Sequence, residues 1–163
     1  KEENLNINEG ENHIQVETEN VKISSRIIKD KYPDYESVIP KDNNFKLLVN
    51  KNDLTSSVKR VSIFSNKSTK QIALSLETNK LTISTEDPEN ITTGKETVEC
   101  EYSGEPMTIG YNALYLGEVL KNQKTDTLNI MLKTPLSAGI FLPENQEGKE
   151  DKTTLLMPIR LND

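Results

Sequence analysis

The apolar runs of residues 41–163 come in an order that is used twice, and that repetition constrains the fold more than any single motif. Phe45-Lys46-Leu47-Leu48-Val49 reads as a strand. Residues 53–65 read as a helix, with Leu54, Val58, Val61 and Phe64 or Ser65 along one side at helical spacing. Strands are predicted over 72–76, 81–85 and 97–102, the first two joined by the hairpin link Glu77-Thr78-Asn79-Lys80. The order then recurs. A short strand over 107–109 leads to a helix capped by Asn112 and running to Lys121, with Ala113, Leu116, Val119 and Leu120 as its apolar side. Strands over 128–132, 139–142 and 154–161 follow. A duplicated β-α-β-β-β unit predicts an α+β domain with two helices packed on antiparallel sheet and pseudo-twofold symmetry. On pattern alone, a generic α+β domain with accidental repetition stays open.

Residues 1–40 are different in kind. Strands are predicted over 5–7, 13–17 and 21–24, with turns at Asn8-Glu9-Gly10-Glu11-Asn12 and Glu19-Asn20. Lys31-Tyr32-Pro33-Asp34-Tyr35 then leads to Pro40 and the polar Lys41-Asp42-Asn43-Asn44, which is the best domain boundary in the chain. Three strands without a helix to cover them make a poor independent unit, so this segment reads as the end of a larger domain. The chain starts at Lys1 rather than at a methionine, which fits a piece of a longer protein.

The residue types that usually carry chemistry are scarce or badly placed. The one histidine, His13, sits in a polar-apolar alternation and reads as a solvent-facing strand residue. The one cysteine, Cys100, lies in Val98-Glu99-Cys100-Glu101-Tyr102 and reads as a packed strand residue rather than a nucleophile. No Cys/His cluster has metal-ligand spacing, and Gly94, Gly104 and Gly110 are isolated, each read in or beside a turn rather than in a phosphate loop. Glu86-Asp87-Pro88-Glu89 and residues 147–151 read as solvated turn carboxylates. No catalytic residue, metal or cofactor is predicted. The net charge of −6 argues against gripping DNA through many phosphate contacts, so any role on DNA must rest on a local basic face or on topology. No apolar run approaches the roughly 18 residues of a membrane-spanning helix, and a cytoplasmic setting is expected.

What stands out is Leu155-Leu156-Met157-Pro158-Ile159-Arg160-Leu161, the most apolar stretch of an otherwise polar chain. Two readings stand. It can be the closing strand of the sheet; or, because Pro158 cannot donate to a ladder, it can leave the sheet and line a surface groove for a peptide.

Read with Tyr32-Pro33-Asp34-Tyr35-Glu36-Ser37-Val38-Ile39-Pro40, that stretch resembles the bacterial DNA sliding clamps, the beta subunits of DNA polymerase III. Ile63-Phe64-Ser65-Asn66, Tyr102-Ser103-Gly104 and Ile109-Gly110-Tyr111-Asn112 carry the resemblance between the two ends. It implies the DNA clamp fold, with residues 1–40 as the end of a second clamp domain plus linker and 41–163 as a complete third domain. It also implies a non-catalytic processivity factor. Subunits of three similar domains pair head to tail into a ring around duplex DNA, a homodimer at full length, with this fragment alone a monomer.

The resemblance further implies a hydrophobic pocket for short linear motifs of polymerases, the clamp loader and repair proteins. Carried onto this sequence, its wall comprises Pro33, Val38, Thr69, Asn112, Tyr115, Leu136, Ala138, Leu155, Leu156, Met157, Pro158, Ile159, Arg160 and Leu161. The apolar members would receive a partner's Leu and Phe, while Arg160 and Asn112 would fix the peptide backbone. Ser37 and Thr69 depart from the family, where Arg and an aromatic can occur, and the wall contributed by the rest of the second domain lies outside this sequence. Ile63 and Phe64 fall at the implied subunit interface, although either could instead be a core residue of the helix end. Lys59, Arg60, Lys121 and Lys124, on or beside the helices, would face DNA, or simply be solvated helix surface.

Overall fold

The computed structural model of the chain describes residues 4–145 and 152–161, so the turn expected over 147–151 lies outside the described residues. By its contacts the chain divides into two compact units, Lys1–Glu36 and Ser37–Asp163. The first holds β1 (Asn6–Glu9), β2 (His13–Glu17) and β3 (Lys22–Arg26), antiparallel in the order β1-β2-β3. The register places Ile7 opposite Val16 and Val16 opposite Ile23, so the branched residues form one row across the small sheet. His13 opens β2 and is exposed, as its alternation predicts. A 3-10 turn over Tyr35–Val38 follows, stiffened by an edge-to-face contact of Tyr32 with Tyr35.

The second unit realises the duplication. Its first half is β4 (Phe45–Asn50), α1 (Lys51–Ser62), β5 (Gln71–Glu77), β6 (Lys80–Asp87) and β7 (Thr92–Tyr102). Its second half is β8 (Met107–Asn112), α2 (Ala113–Lys121), β9 (Thr127–Leu132), β10 (Gly139–Pro143) and β11 (Thr154–Leu156). The ten elements make one eight-stranded sheet, order β11-β10-β9-β4-β7-β6-β5-β8, with two helices against it. Every neighbouring pair is antiparallel. The sheet curls until its two ends meet at a single bridge between Gly110 and Ile159.

Alternation sets the core. In β5, Ile72, Leu74 and Leu76 point inward while Gln71, Ala73 and Ser75 stay partly exposed. Leu54, Val58 and Val61 of α1, and Ala113, Leu116 and Leu120 of α2, complete one continuous apolar cluster with Leu81, Ile83, Leu128, Ile130 and Phe141. Cys100 packs at its margin, partly buried, and burial pushes its thiol pKa up, as suits an inert strand residue.

The structure corrects several boundaries, each for a local reason. Helix α1 starts before residue 53 because Asn50 Oδ1 accepts from the backbone N–H groups of Asn52 and Asp53, at 2.9 and 3.1 Å, and so caps it. It ends at Ser62, where i−3 hydrogen bonds from Ile63, Phe64 and Ser65 tighten the chain. That tighter turn sends Ser65 into the core, 4% exposed, and leaves Phe64 half outside. Strand β7 begins at Thr92 rather than 97, because β6 pairs with it along its whole length to Asp87↔Thr92. Gly94 therefore lies inside a strand, where a Cβ would stand 3.0 Å from the Phe64 ring. Asp87 is not a solvated turn charge. It is 2% exposed, and it accepts from the Asn90 amide at 2.7 Å, with the Glu89 N–H and Asn66 also in reach. These bonds, that of Asn90 foremost, hold its carboxyl below the usual range.

Helix α1 is tied to β7 by a two-pronged ion pair. Arg60 donates from Nε and Nη2 to the two oxygens of Glu96, both at 2.6 Å, and Ser57 Oγ adds a bond to Glu96 at 2.8 Å. The Arg60 hydrogen bonds, supported by Ser57, lower the Glu96 carboxyl from its ordinary 4.5 to about 2. A carboxylate held ionised in the folded state stabilises above its unfolded pKa and loses that contribution as the pH falls through its folded one. Urea midpoints should therefore drop between pH 4.5 and about pH 2, and Glu96→Gln should flatten that part of the profile. An unchanged acid profile in the variant would remove the fork from the stability account. Separately, Asn50→Ala should lower the unfolding free energy by about 1 kcal/mol, read by equilibrium denaturation, since it orphans two N–H groups of α1.

Candidate functional site

The apolar strip at 155–161 adopts neither of its two readings in full. Its first residues are a strand: β11 pairs with β10 through Gly139↔Leu156, Ile140↔Leu155 and Phe141↔Thr154. The strand predicted over 154–161 stops at Leu156, because Pro158 lacks the N–H that a ladder needs. The chain next hydrogen-bonds to the sheet at Ile159, whose N–H donates to the Gly110 carbonyl at 2.9 Å. Leu155, Leu156, Pro158, Ile159 and Leu161 are half-buried, whereas Arg160 is exposed and Met157 is 59% exposed. The strip is thus held down by its aliphatic residues and presents a thioether and a guanidinium outward.

Gly110 corrects the reading of an isolated turn glycine. It sits in the middle of β8, and a Cβ there would lie 2.7 Å from the Ile159 carbonyl oxygen and 2.7 Å from Leu161 Cδ2. Leu161 packs directly over it. From sequence, the only available signal was a glycine among the β-formers Ile109 and Tyr111, which marks close backbone approach as often as a turn.

Asn112 is placed as expected and is more committed than expected. Its Oδ1 caps α2, accepting from Leu114 N at 2.9 Å and Tyr115 N at 3.4 Å, and its Nδ2 donates to the Thr69 carbonyl at 3.0 Å. One amide hydrogen is left for any ligand. Thr69 and Leu161 both line a cleft of about 790 Å³, together with Asn66, Ala73, Asp87 and Gly94. The structure therefore joins Thr69, Asn112, Ile159 and Leu161 through β5 and β8.

Other expected wall residues stand as follows. Tyr115 on α2 and Leu136 in the turn between β9 and β10 are exposed, at 66% and 59%. Val38 is exposed in its 3-10 turn. Pro33, in the first unit, accepts a hydrogen bond from Tyr35 N. Ala138 is 4% exposed, and its carbonyl accepts from Asn43 Nδ2 at 2.9 Å.

Ile63 and Phe64 both reach the surface, at 74% and 44% exposed, next to the point where Thr92 Oγ1 donates to the Phe64 carbonyl. Lys59 on α1 and Lys124, just beyond the end of α2, are exposed, and Lys121 lies 3.9 Å from Glu118. Arg60 is held in a close two-pronged pair by Glu96 at 2.6 Å. Among the described residues no group of three His, Cys, Asp or Glu could hold a metal ion, and no helix is long and apolar enough to cross a membrane.

Residues 36–160 match the family described as DNA polymerase III beta subunit, C-terminal domain. The chain is 29% identical to the beta sliding clamp of Pseudomonas putida over 152 residues, which is 93% of this chain and 40% of that protein. It is 32% identical to the beta sliding clamp of Synechococcus elongatus over 141 residues, 85% of this chain and 36% of that one. A solved sliding clamp (DNA polymerase III subunit beta) from Pseudomonas aeruginosa bound to griselimycin matches with a TM-score of 0.84 at 29% identity, covering 96% of this chain and 42% of that chain. The chain thus spans less than half the length of each relative. A twofold repeat of β-α-β-β-β, a capped second helix and a proline-broken apolar strip meet in one fold with these matches, and the chain belongs to the DNA polymerase III beta subunit family, matching its C-terminal domain.

Proposed function

We propose that this chain is the C-terminal part of a processivity clamp that encircles duplex DNA and docks polymerase, clamp loader and repair proteins through short linear motifs, in the cytoplasm and without catalysis. Residues 1–40 then belong to the end of the preceding clamp domain with its linker, and 41–163 to the third domain. The observation that carries the docking role is the strip at 155–161. It is apolar, anchored through β11 and through the Ile159–Gly110 bond, and open along Met157 and Arg160. Such a surface suits a peptide's Leu and Phe anchors, with a charged and an amide group at its edge for the backbone. The Pseudomonas aeruginosa relative was solved with griselimycin bound, which supports a ligand-binding surface on this fold.

The subunit contact is assigned to Ile63 and Phe64, whose exposure has no use within the chain's own core. DNA is assigned to the face bearing Lys59 and Arg60 of α1, Lys121 of α2 and Lys124 just beyond it. A closed ring holds DNA by topology, so a chain of net charge −6 needs few phosphate contacts.

A titration with the peptide Gln-Leu-Ser-Leu-Phe, followed by NMR, tests the docking role. Shifts should concentrate at Met157, Ile159, Arg160 and Asn112, and Met157→Ala should weaken binding about ten-fold, as loss of one central anchor does. No shift in 155–161 at millimolar peptide would remove the strip as the docking site. In the full-length ring, Lys59→Ala with Lys121→Ala should slow loading only a few-fold and make its salt dependence only slightly shallower. Complete loss of clamp activity would argue against enclosure as the main hold on DNA.

A further inference from the structure

The two halves of the duplicated unit close their strands very unequally. In the first half the opening and last strands, β4 and β7, pair at Leu47↔Tyr102, Leu48↔Glu101 and Val49↔Cys100. The equivalent contact of the second half runs between β8 and the strip after β11, and there the ladder shrinks to the single Gly110–Ile159 bridge. Pro158 accounts for the shrinkage, since it removes the donor that would extend the ladder toward β11. One N–H···O bond of 2.9 Å therefore seats residues 159–161.

The seat has almost no tolerance. A Cβ at position 110 would meet the Ile159 carbonyl oxygen at 2.7 Å and Leu161 Cδ2 and Cγ at 2.7 and 2.9 Å. The leucine methyls could rotate aside. The carbonyl is backbone, so it can withdraw only if the strip lifts. β8 itself has no such freedom, because it pairs with β5 from Met107 to Asn112. The strip is the weaker side, its preceding residue Met157 being largely in solvent.

We propose that Gly110 is a positioning residue for docking: its missing side chain lets residues 159–161 seat on β8, and that seat holds the strip in the arrangement a peptide recognises. The inference rests on the docking role proposed above. Gly110 itself need touch no ligand. A strip seated for only part of the time binds with an affinity multiplied by the seated fraction, so bulk at 110 weakens docking although no groove side chain is replaced. A bound peptide in turn stabilises the seat, and the Ile159 amide should be better protected in the complex.

Hydrogen exchange on the full chain, with and without Gln-Leu-Ser-Leu-Phe, tests this in wild type, Gly110→Ala and the double variant Gly110→Ala with Leu161→Ala. In Gly110→Ala the peptide Kd should rise about ten-fold, which requires the seated fraction to fall to about one tenth, so the Ile159 amide should lose nearly all its protection. The β9 amides of Leu128, Ile130 and Leu132 should stay as protected as in wild type. In the double variant Ile159 protection should recover only in part, because the clash with its own carbonyl remains. Unchanged Ile159 exchange in Gly110→Ala, or equal acceleration throughout β9, would overturn the seat. Near-complete loss of Ile159 protection with an unchanged Kd would overturn its part in docking. If wild type binds no peptide, the docking role itself fails, and the exchange comparison still decides whether Gly110 seats the strip.

Discussion

Each half of the C-terminal unit brings one amphipathic helix and strands that are apolar on a single face, and neither half can cover that face alone. Two helices laid on one curled sheet solve both problems together. Leu54, Val58 and Val61 from α1 and Leu116 and Leu120 from α2 converge on the inward residues of both sets of strands, so the core is continuous across the duplication. Fully burying one such aliphatic side chain contributes about 1.5–3 kcal/mol, which makes this shared core the dominant favourable term. The caps Asn50 and Asn112, the Arg60–Glu96 fork and the Asp87 turn then fix where each element begins and how it meets its neighbour.

The curl also determines where a functional surface can lie. An antiparallel sheet that comes round on itself has a seam, and here the seam falls between β8 and the strip that follows β11. Proline at 158 leaves that seam incompletely zipped, so half-buried aliphatic residues remain on the outside of the fold. The surface proposed for docking is therefore a consequence of how the duplicated sheet ends, and the glycine on its other side is part of the same construction.

Much of this was readable from local sequence. Asn112 declares itself as a cap because the apolar spacing of Ala113, Leu116 and Leu120 begins just after it, and the hairpin at Glu77-Thr78-Asn79-Lys80 pairs as its residues suggest, with Asn79 at positive φ. The rest was decided by contacts that the helical and strand periods do not encode. Phe64 and Ser65 are equally compatible with the helical period, and the tightened end of α1 chose the serine for the core. Asp87 and Arg60 look like solvated charges in sequence and are engaged by Asn90 and Glu96. Ala138 sits in a turn-like stretch, yet Asn43, far away in sequence, draws it inward.

The sequence by itself determined the duplicated α+β unit, the faces of both helices and the family, because periodicity, caps and breakers act within a few residues. It also left the apolar strip two fates, a closing strand or a groove lining, with Pro158 as the residue that separates them. Only the tertiary structure decided where that strip comes to rest. Its seat depends on a missing Cβ at Gly110, brought opposite Ile159 by the closure of the sheet, and close approach between strands so distant in sequence leaves no local period to read.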